Sequence, residues 1–226
     1  MTNTLREGLP DLPPLMRDLP IDARGYPVPK FVHVNEDGTP DHRVAEATYM
    51  ARAVRDRLCW VCGKHMENGL YCFLVGPVSL FTRVSPEPPM HAQCAAYAAR
   101  SCPFLTKPRA HRRSADLPEG LRAPPGEFLQ GNPHVVLQWF ARSFSVEVYH
   151  LGNGKHAPLF LLHEPLALLW FTEGRPATPP EVERAVSEAT DKLDAMARAE
   201  GPAGVQEMTS KVQVALATLE RLAPSP

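Results

Sequence analysis

The sequence predicts an α+β fold, and three observations carry that prediction: a Cys- and His-bearing stretch at residues 59–105, alternating β-prone runs between 134 and 171, and two amphipathic helical periods after Thr178. The chain has 226 residues, 44% of them apolar and 22% charged, ordinary soluble usage that excludes wholesale disorder, a coiled-coil rod and a collagen-like fibre. Its 25 prolines against 14 glycines divide it into short elements joined by stiff connectors. The 24 basic and 25 acidic residues leave a formal charge of −1, so no global field draws the chain to nucleic acid or to an anionic membrane. A partner of either kind needs a local patch.

The elements follow in order. Residues 1–23, with prolines among scattered leucines, read as an extended arm. A short strand is predicted over 26–34, closed by the turn Asn35-Glu36-Asp37-Gly38, whose Asp-Gly pair supplies the positive dihedral of a hairpin. Val44, Ala47, Ala51, Val54 and Leu58 then recur at spacings of three and four and predict a helix, with Arg43, Arg52, Arg55 and Arg57 mostly on its wet face. Residues 106–127, rich in proline and basic side chains, read as a linker. Beyond it, 134–140, 143–151 and 159–171 predict a small antiparallel sheet with a tight turn at Asn153-Gly154 and a bend or edge at Pro165. Thr178-Pro179-Pro180-Glu181 is a capping box that opens a helix ending at Gly201-Pro202. A second helix from about Val205 to Leu222 completes a helical hairpin that covers the sheet. The layout is an arm (1–23), a unit of hairpin, helix and Cys/His stretch (24–105), the linker, and a unit of strands and two helices (128–226), an arrangement compatible with one shared core.

The chemistry concentrates in the second of these. Cys59-Trp60-Val61-Cys62-Gly63 is a CxxC turn in which backbone amides point at two thiolates and glycine takes the tight conformation. His91-Ala92-Gln93-Cys94 brings two more donors to one side of a first helical turn, behind Pro88-Pro89. Between them, 70–75 and 78–84 are apolar and β-prone around Gly76-Pro77. Knuckle, hairpin and helix in that order make a treble clef, and Cys59, Cys62, His91 and Cys94 are predicted to hold one structural Zn2+. Four protein donors leave no open position for water, so the metal is not expected to be catalytic. His65 is expected outside the coordination sphere, and Cys72 and Cys102 are expected as packed thiols.

These motifs, together with Ser85-Pro86-Glu87-Pro88-Pro89-Met90, Cys102-Pro103-Phe104-Leu105, Pro27-Val28-Pro29-Lys30-Phe31, Asp37-Gly38-Thr39-Pro40-Asp41 and Glu173-Gly174-Arg175-Pro176-Ala177-Thr178, resemble a group of uncharacterised zinc-finger-like proteins of bacteriophages and bacterial genomes. The resemblance covers most of residues 20–200. It implies a zinc site on Cys59, Cys62, His91 and Cys94 and no particular activity.

The functional expectation is a non-enzymatic protein that binds a macromolecule, with a protein partner ahead of nucleic acid. The alternative is nucleic-acid binding through the basic run Lys107, Arg109, Arg112 and Arg113. A treble-clef nuclease is a lesser alternative: His65 and Glu67 precede the expected hairpin, whose strands hold no His, Asp or Glu to activate water. Asp41-His42 reads as a surface turn, and Arg175 as an ordinary exposed arginine beside a cap. No other catalytic motif or cofactor-binding fingerprint is recognised. The first 19 residues lack the apolar run of a signal peptide, and 159–171, interrupted at His163, Glu164 and Pro165, falls short of a membrane span. A cytoplasmic protein with no membrane partner is expected, and five cysteines, four of them within 59–94, favour metal ligation over disulfides.

Overall fold

The turn at residues 35–38 forms as its Asp-Gly pair dictates: Asn35 N–H donates to Thr39 O at 2.9 Å, Gly38 N–H to Asn35 O at 2.9 Å, and Gly38 takes φ 83. The computed structural model describes residues 3–67, 69–111, 131–152 and 155–222. The turn joins β1 (Val32–Val34) to β2 (Pro40–Ala45). Val44, assigned to a helix by its spacing, is instead a buried residue of β2, so α1 (Ala47–Arg55) starts only after the extended Glu46. The N-terminal arm lies on the body of the protein, with Met16 and Leu19 in the core and Asp18 paired to Lys64 at 2.8 Å.

The hairpin expected over 70–84 does not form. Its first half is β3 (Tyr71–Val75), but the Gly76-Pro77 step leads into α2 (Ser79–Thr82) and the two-residue β4 (Val84–Ser85). Ser79 Oγ–H donates to Val84 O at 2.8 Å, and the turn ends at Arg83 in the left-handed region. β3 instead uses one edge for β5 (Val135–Ala141) and the other for a bridge between Cys72 and Met90. Behind that bridge come α3 (Ala92–Ser101) and α4 (Pro103–Thr106). Knuckle and helix therefore stand as expected, while the strand between them pairs outside the unit.

The C-terminal strands form one long ribbon folded at a corner. β5 pairs with β8 (Pro165–Thr172) from Val135↔Thr172 to Ala141↔Pro165, and β6 (Phe144–Gly152) with β7 (Lys155–Leu162) resumes the ladder at Phe144↔Leu162. The corner lies at residues 142–143 and 163–164, beside a bulge at Phe140 and Ala141, and splits the ribbon between two sheets, β3-β5-β8-β9 and β4-β7-β6, with β9 at Arg175–Pro176. Two sheets thus replace the single one expected. His163 pins the corner: its Nδ1 lies 2.8 Å from Ser143 Oγ, its Nε2 2.7 Å from Ser145 Oγ, and its carbonyl accepts from Trp139 Nε1–H at 3.0 Å. Pro165 stands at the same corner, where bends tolerate a missing N–H. Asn153 and Gly154 lie outside the described residues, although the strands they join close at Gly152↔Lys155.

The two predicted helices are α5 (Pro179–Glu200) and α6 (Pro202–Leu222), broken at Gly201 with φ 93. At the start of α5 the Glu181 carboxylate accepts from Thr178 N–H and Oγ1–H, both at 2.8 Å. α6 lies against α2 and β8. The buried residues form one cluster drawn from both halves: Phe73 of β3, fully buried, meets Phe144 of β6 and Phe160 of β7 at ring-centroid distances of 5.6 and 6.4 Å.

Candidate metal centre

The site is built from two local devices. In the first, Gly63 at φ 73 returns its N–H to Cys59 O at 3.0 Å, Cys59 N–H donates to Lys64 O at 2.8 Å, and Tyr49 Oη–H donates to the same Cys59 carbonyl at 2.8 Å. This fixes the CxxC turn with both sulfurs on one side. A side chain at residue 63 would be strained by its dihedral and would meet Lys30 Cγ at 2.8 Å, so glycine is required there. In the second, His91 is the N-cap of α3, which puts Cys94 in the first turn, where the unpaired amides of a helix start favour a negative sulfur. Trp60 N–H, donating to Pro89 O at 3.1 Å, ties the two devices together.

The structure brings Cys59, Cys62, His91 and Cys94 together, with their donor atoms all within 4.8 Å of one another, and these four residues form a possible metal-binding site. The three cysteines are buried and His91 is half-buried. Cys62 Sγ lies 3.3 Å from His91 Nδ1, and His91 N–H points at Cys59 Sγ from 3.4 Å. His91 Nε2 lies 3.1 Å from the His65 carbonyl, an acceptor only, so Nε2 carries a proton and Nδ1 is the ring atom that faces the sulfurs.

The electrostatics are those of a cation site. Burial opposes ionisation of Cys59, but hydrogen bonding from Cys62, Cys94 and His91 outweighs it and holds that thiol well below its usual range. Hydrogen bonding to Cys59 and Cys62 drives Cys94 in the opposite direction, far above the usual thiol range. The Cys59 and Cys62 sulfurs push His91 up to about 10. Three sulfurs this close cannot all carry charge unless a positive ion lies among them, and such an ion removes the conflict.

Other residues singled out from the sequence fall elsewhere. His65 contributes its carbonyl while its side chain is exposed, and neither Cys72 nor Cys102 belongs to the cluster. Cys72 is fully buried. Lys107 and Arg109 are exposed, whereas Arg112 and Arg113 lie outside the described residues. Arg175 forms a two-pronged ion pair with Glu181, at 2.9 and 2.6 Å, which accounts for its position beside the cap. The surface-turn reading of Asp41-His42 is replaced. Both lie in β2, Asp41 is 8% exposed and gripped by Arg43 at 2.8 and 2.6 Å, and His42 Nε2 meets Asp22 Oδ2 of the arm at 3.2 Å. No sequence signal marked this pairing, because its two members are 20 residues apart and joined only by the path of the arm.

No described helix is long and apolar enough to cross a membrane. Comparison with protein-family models, curated proteins and solved structures yields no match.

Proposed function

We propose that this is a zinc protein of the bacteriophage or bacterial zinc-finger-like type, in which the metal is structural and the chain acts by binding a protein partner. The closed donor set carries the reading: three sulfurs and one imidazole satisfy a tetrahedral ion completely, and a closed site has no position for a substrate or an activated water. The donor chemistry selects zinc, since thiolate-rich tetrahedral sites suit zinc and reject magnesium and calcium. The spacing agrees: ordinary zinc bond lengths separate a sulfur and a nitrogen ligand by about 3.6 Å, and Cys62 Sγ and His91 Nδ1 lie 3.3 Å apart. Thiolate ligands of this kind suit a reducing, cytoplasmic setting.

The test has two parts. Metal analysis of the purified chain is expected to give one zinc per chain, released by denaturation together with thiolate titration; a metal-free, folded chain overturns the metal assignment. Titration of the zinc-loaded protein into labelled duplex DNA, single-stranded DNA and RNA across a salt series is expected to show no binding. Tight binding with a steep negative salt slope overturns the choice of a protein partner and makes Lys107 and Arg109 the first residues to replace.

A further inference from the structure

Strand β6 ends the sheet β4-β7-β6, so among the described residues its outer edge, nine residues long, has no partner strand. β4 pairs with β7 only at Leu161 and Phe160, so the ribbon from Glu147↔Leu159 to Gly152↔Lys155 is two strands wide. Two strands alone are marginal in water, and a further strand or a covering layer is their usual support. The face that enters the core continues along this ribbon. Phe144, Val146 and Val148 share it with their register partners Leu162, Phe160 and Pro158. Exposure along it rises from 0% at Phe160 to 37% at Val146 and 62% at Val148. Edges that face water are commonly blunted by proline, lysine or a bulge. β6 contains neither Pro nor Lys, its one charged residue is Glu147, and its bulge lies at the far end, between His150 and Gly152.

We propose that β6 pairs antiparallel with β6 of a second copy of this chain, on a two-fold axis at Val148. The pattern of the strand selects both the occupant and the register. A symmetric pair about an axis normal to the sheet centres on a residue, because directly opposed residues lie on the same face. Val148 is the midpoint of Phe144–Gly152. Centred there, the two valines meet, the Val146 and Val148 faces of both copies join, and Glu147 of each copy lies opposite Tyr149 of the other, a phenol that can donate to its carboxylate. A centre at Glu147 sets two like charges opposite each other, and a centre at Val146 or Tyr149 shortens the overlap. The product is a four-stranded β7-β6-β6-β7 sheet that widens both ribbons at once. Each copy uses the same edge, so the assembly closes at two. This inference goes beyond the binding of a different protein proposed above and does not depend on it.

The test is sedimentation equilibrium of the full chain as purified, which is expected to pass from monomer to dimer between about 1 and 100 µM, the range of a small interface. Over the same range, hydrogen exchange is expected to slow at β6 amides and to stay constant in β1. Val148→Lys and Val148→Glu each put like charges on the axis at an exposed position. Either variant alone is expected to associate about tenfold more weakly, with the metal content and melting temperature of the monomer unchanged. An equimolar mixture of the two is expected to associate at least as tightly as the parent chain, because residue 148 meets residue 148. A chain that stays monomeric throughout the range overturns the proposal and leaves the edge to a strand of a different protein. Growth beyond two copies overturns the closed pairing. A dimer that both variants leave intact, or a mixture no tighter than its components, overturns the placement of the axis at Val148.

Discussion

Cys94 sits three residues into α3, where it needs both the helix start and the CxxC turn to meet its partners, so its replacement tests folding and metal binding together. Cys94→Ser leaves three donors around the ion. Zinc content is expected to fall to a small fraction of one per chain and residues 59–105 to lose native circular dichroism, because metal affinity and folding free energy are one quantity in small sites; full metal with a native spectrum would refute the assignment. Cys72 is the contrasting thiol. Burial pushes it up to about 12, so at neutral pH it is protonated as well as inaccessible. Iodoacetamide is expected to leave it unmodified in the zinc-loaded protein and to label it after denaturation, and peptide mapping that found it labelled in the folded chain would contradict its place in the core. The difference between these cysteines was legible in the sequence because metal ligands obey local spacings, CxxC on a turn and HxxC on a helix start. The Asp22–His42 pair was not, since it depends on what the arm brings alongside β2.

Among the elements, the segment after Gly76-Pro77 shows why a short apolar run is ambiguous. Val78 and Phe81 favour strands by residue type, yet one turn of α2 buries Leu80 and Phe81 together, and a strand would have put them on opposite faces. The strand that a local hairpin would have paired with β3 is supplied by β5, more than 60 residues later, a pairing that no local pattern encodes. Arg83 secures the result. Its guanidinium meets Glu164 at 2.9 Å and Thr218 Oγ1 of α6 at 3.2 Å, and it lies over the Trp139 ring at 5.8 Å. One side chain therefore joins α2, the ribbon corner and α6. Arg83→Met keeps much of the packing volume and removes the charge. It is expected to cost about 1–2 kcal/mol and to speed hydrogen exchange in α6 more than in α5; equal change in both helices would show that Arg83 does not hold α6 in place. The helices themselves were readable, because long amphipathic periods with a capping box and a Gly-Pro break are local signals.

Across the whole molecule, the question is whether the metal half and the ribbon half fold separately. The geometry argues that they do not. β3 belongs to the metal half by sequence and to the ribbon sheet by pairing, with Tyr71↔Ala141 to Val75↔Leu137 in register. Gln138 of β5, 1% exposed, reaches across to donate to the Ala92 carbonyl in the first turn of α3 at 2.8 Å, two residues before Cys94. Phe73 is enclosed by Phe144 and Phe160 from the far side of the corner. Removing a metal held by the four donors would release the CxxC turn and the start of α3, and so free the bridge from Met90 to Cys72 and with it the outer support of β3. The sheet would then expose one of its best-buried strands. The three tryptophans make this measurable, since Trp60 lies in the metal half and Trp139 and Trp170 lie in β5 and β8. Under titration with a strong zinc chelator, the indole resonances of all three are expected to collapse to unfolded positions over the same range of chelator, the behaviour of one cooperative unit. If Trp60 alone collapsed while Trp139 and Trp170 kept their native shifts, the ribbon and helices would be an independent fold, and the contacts made through β3 and Gln138 would be too weak to couple the halves.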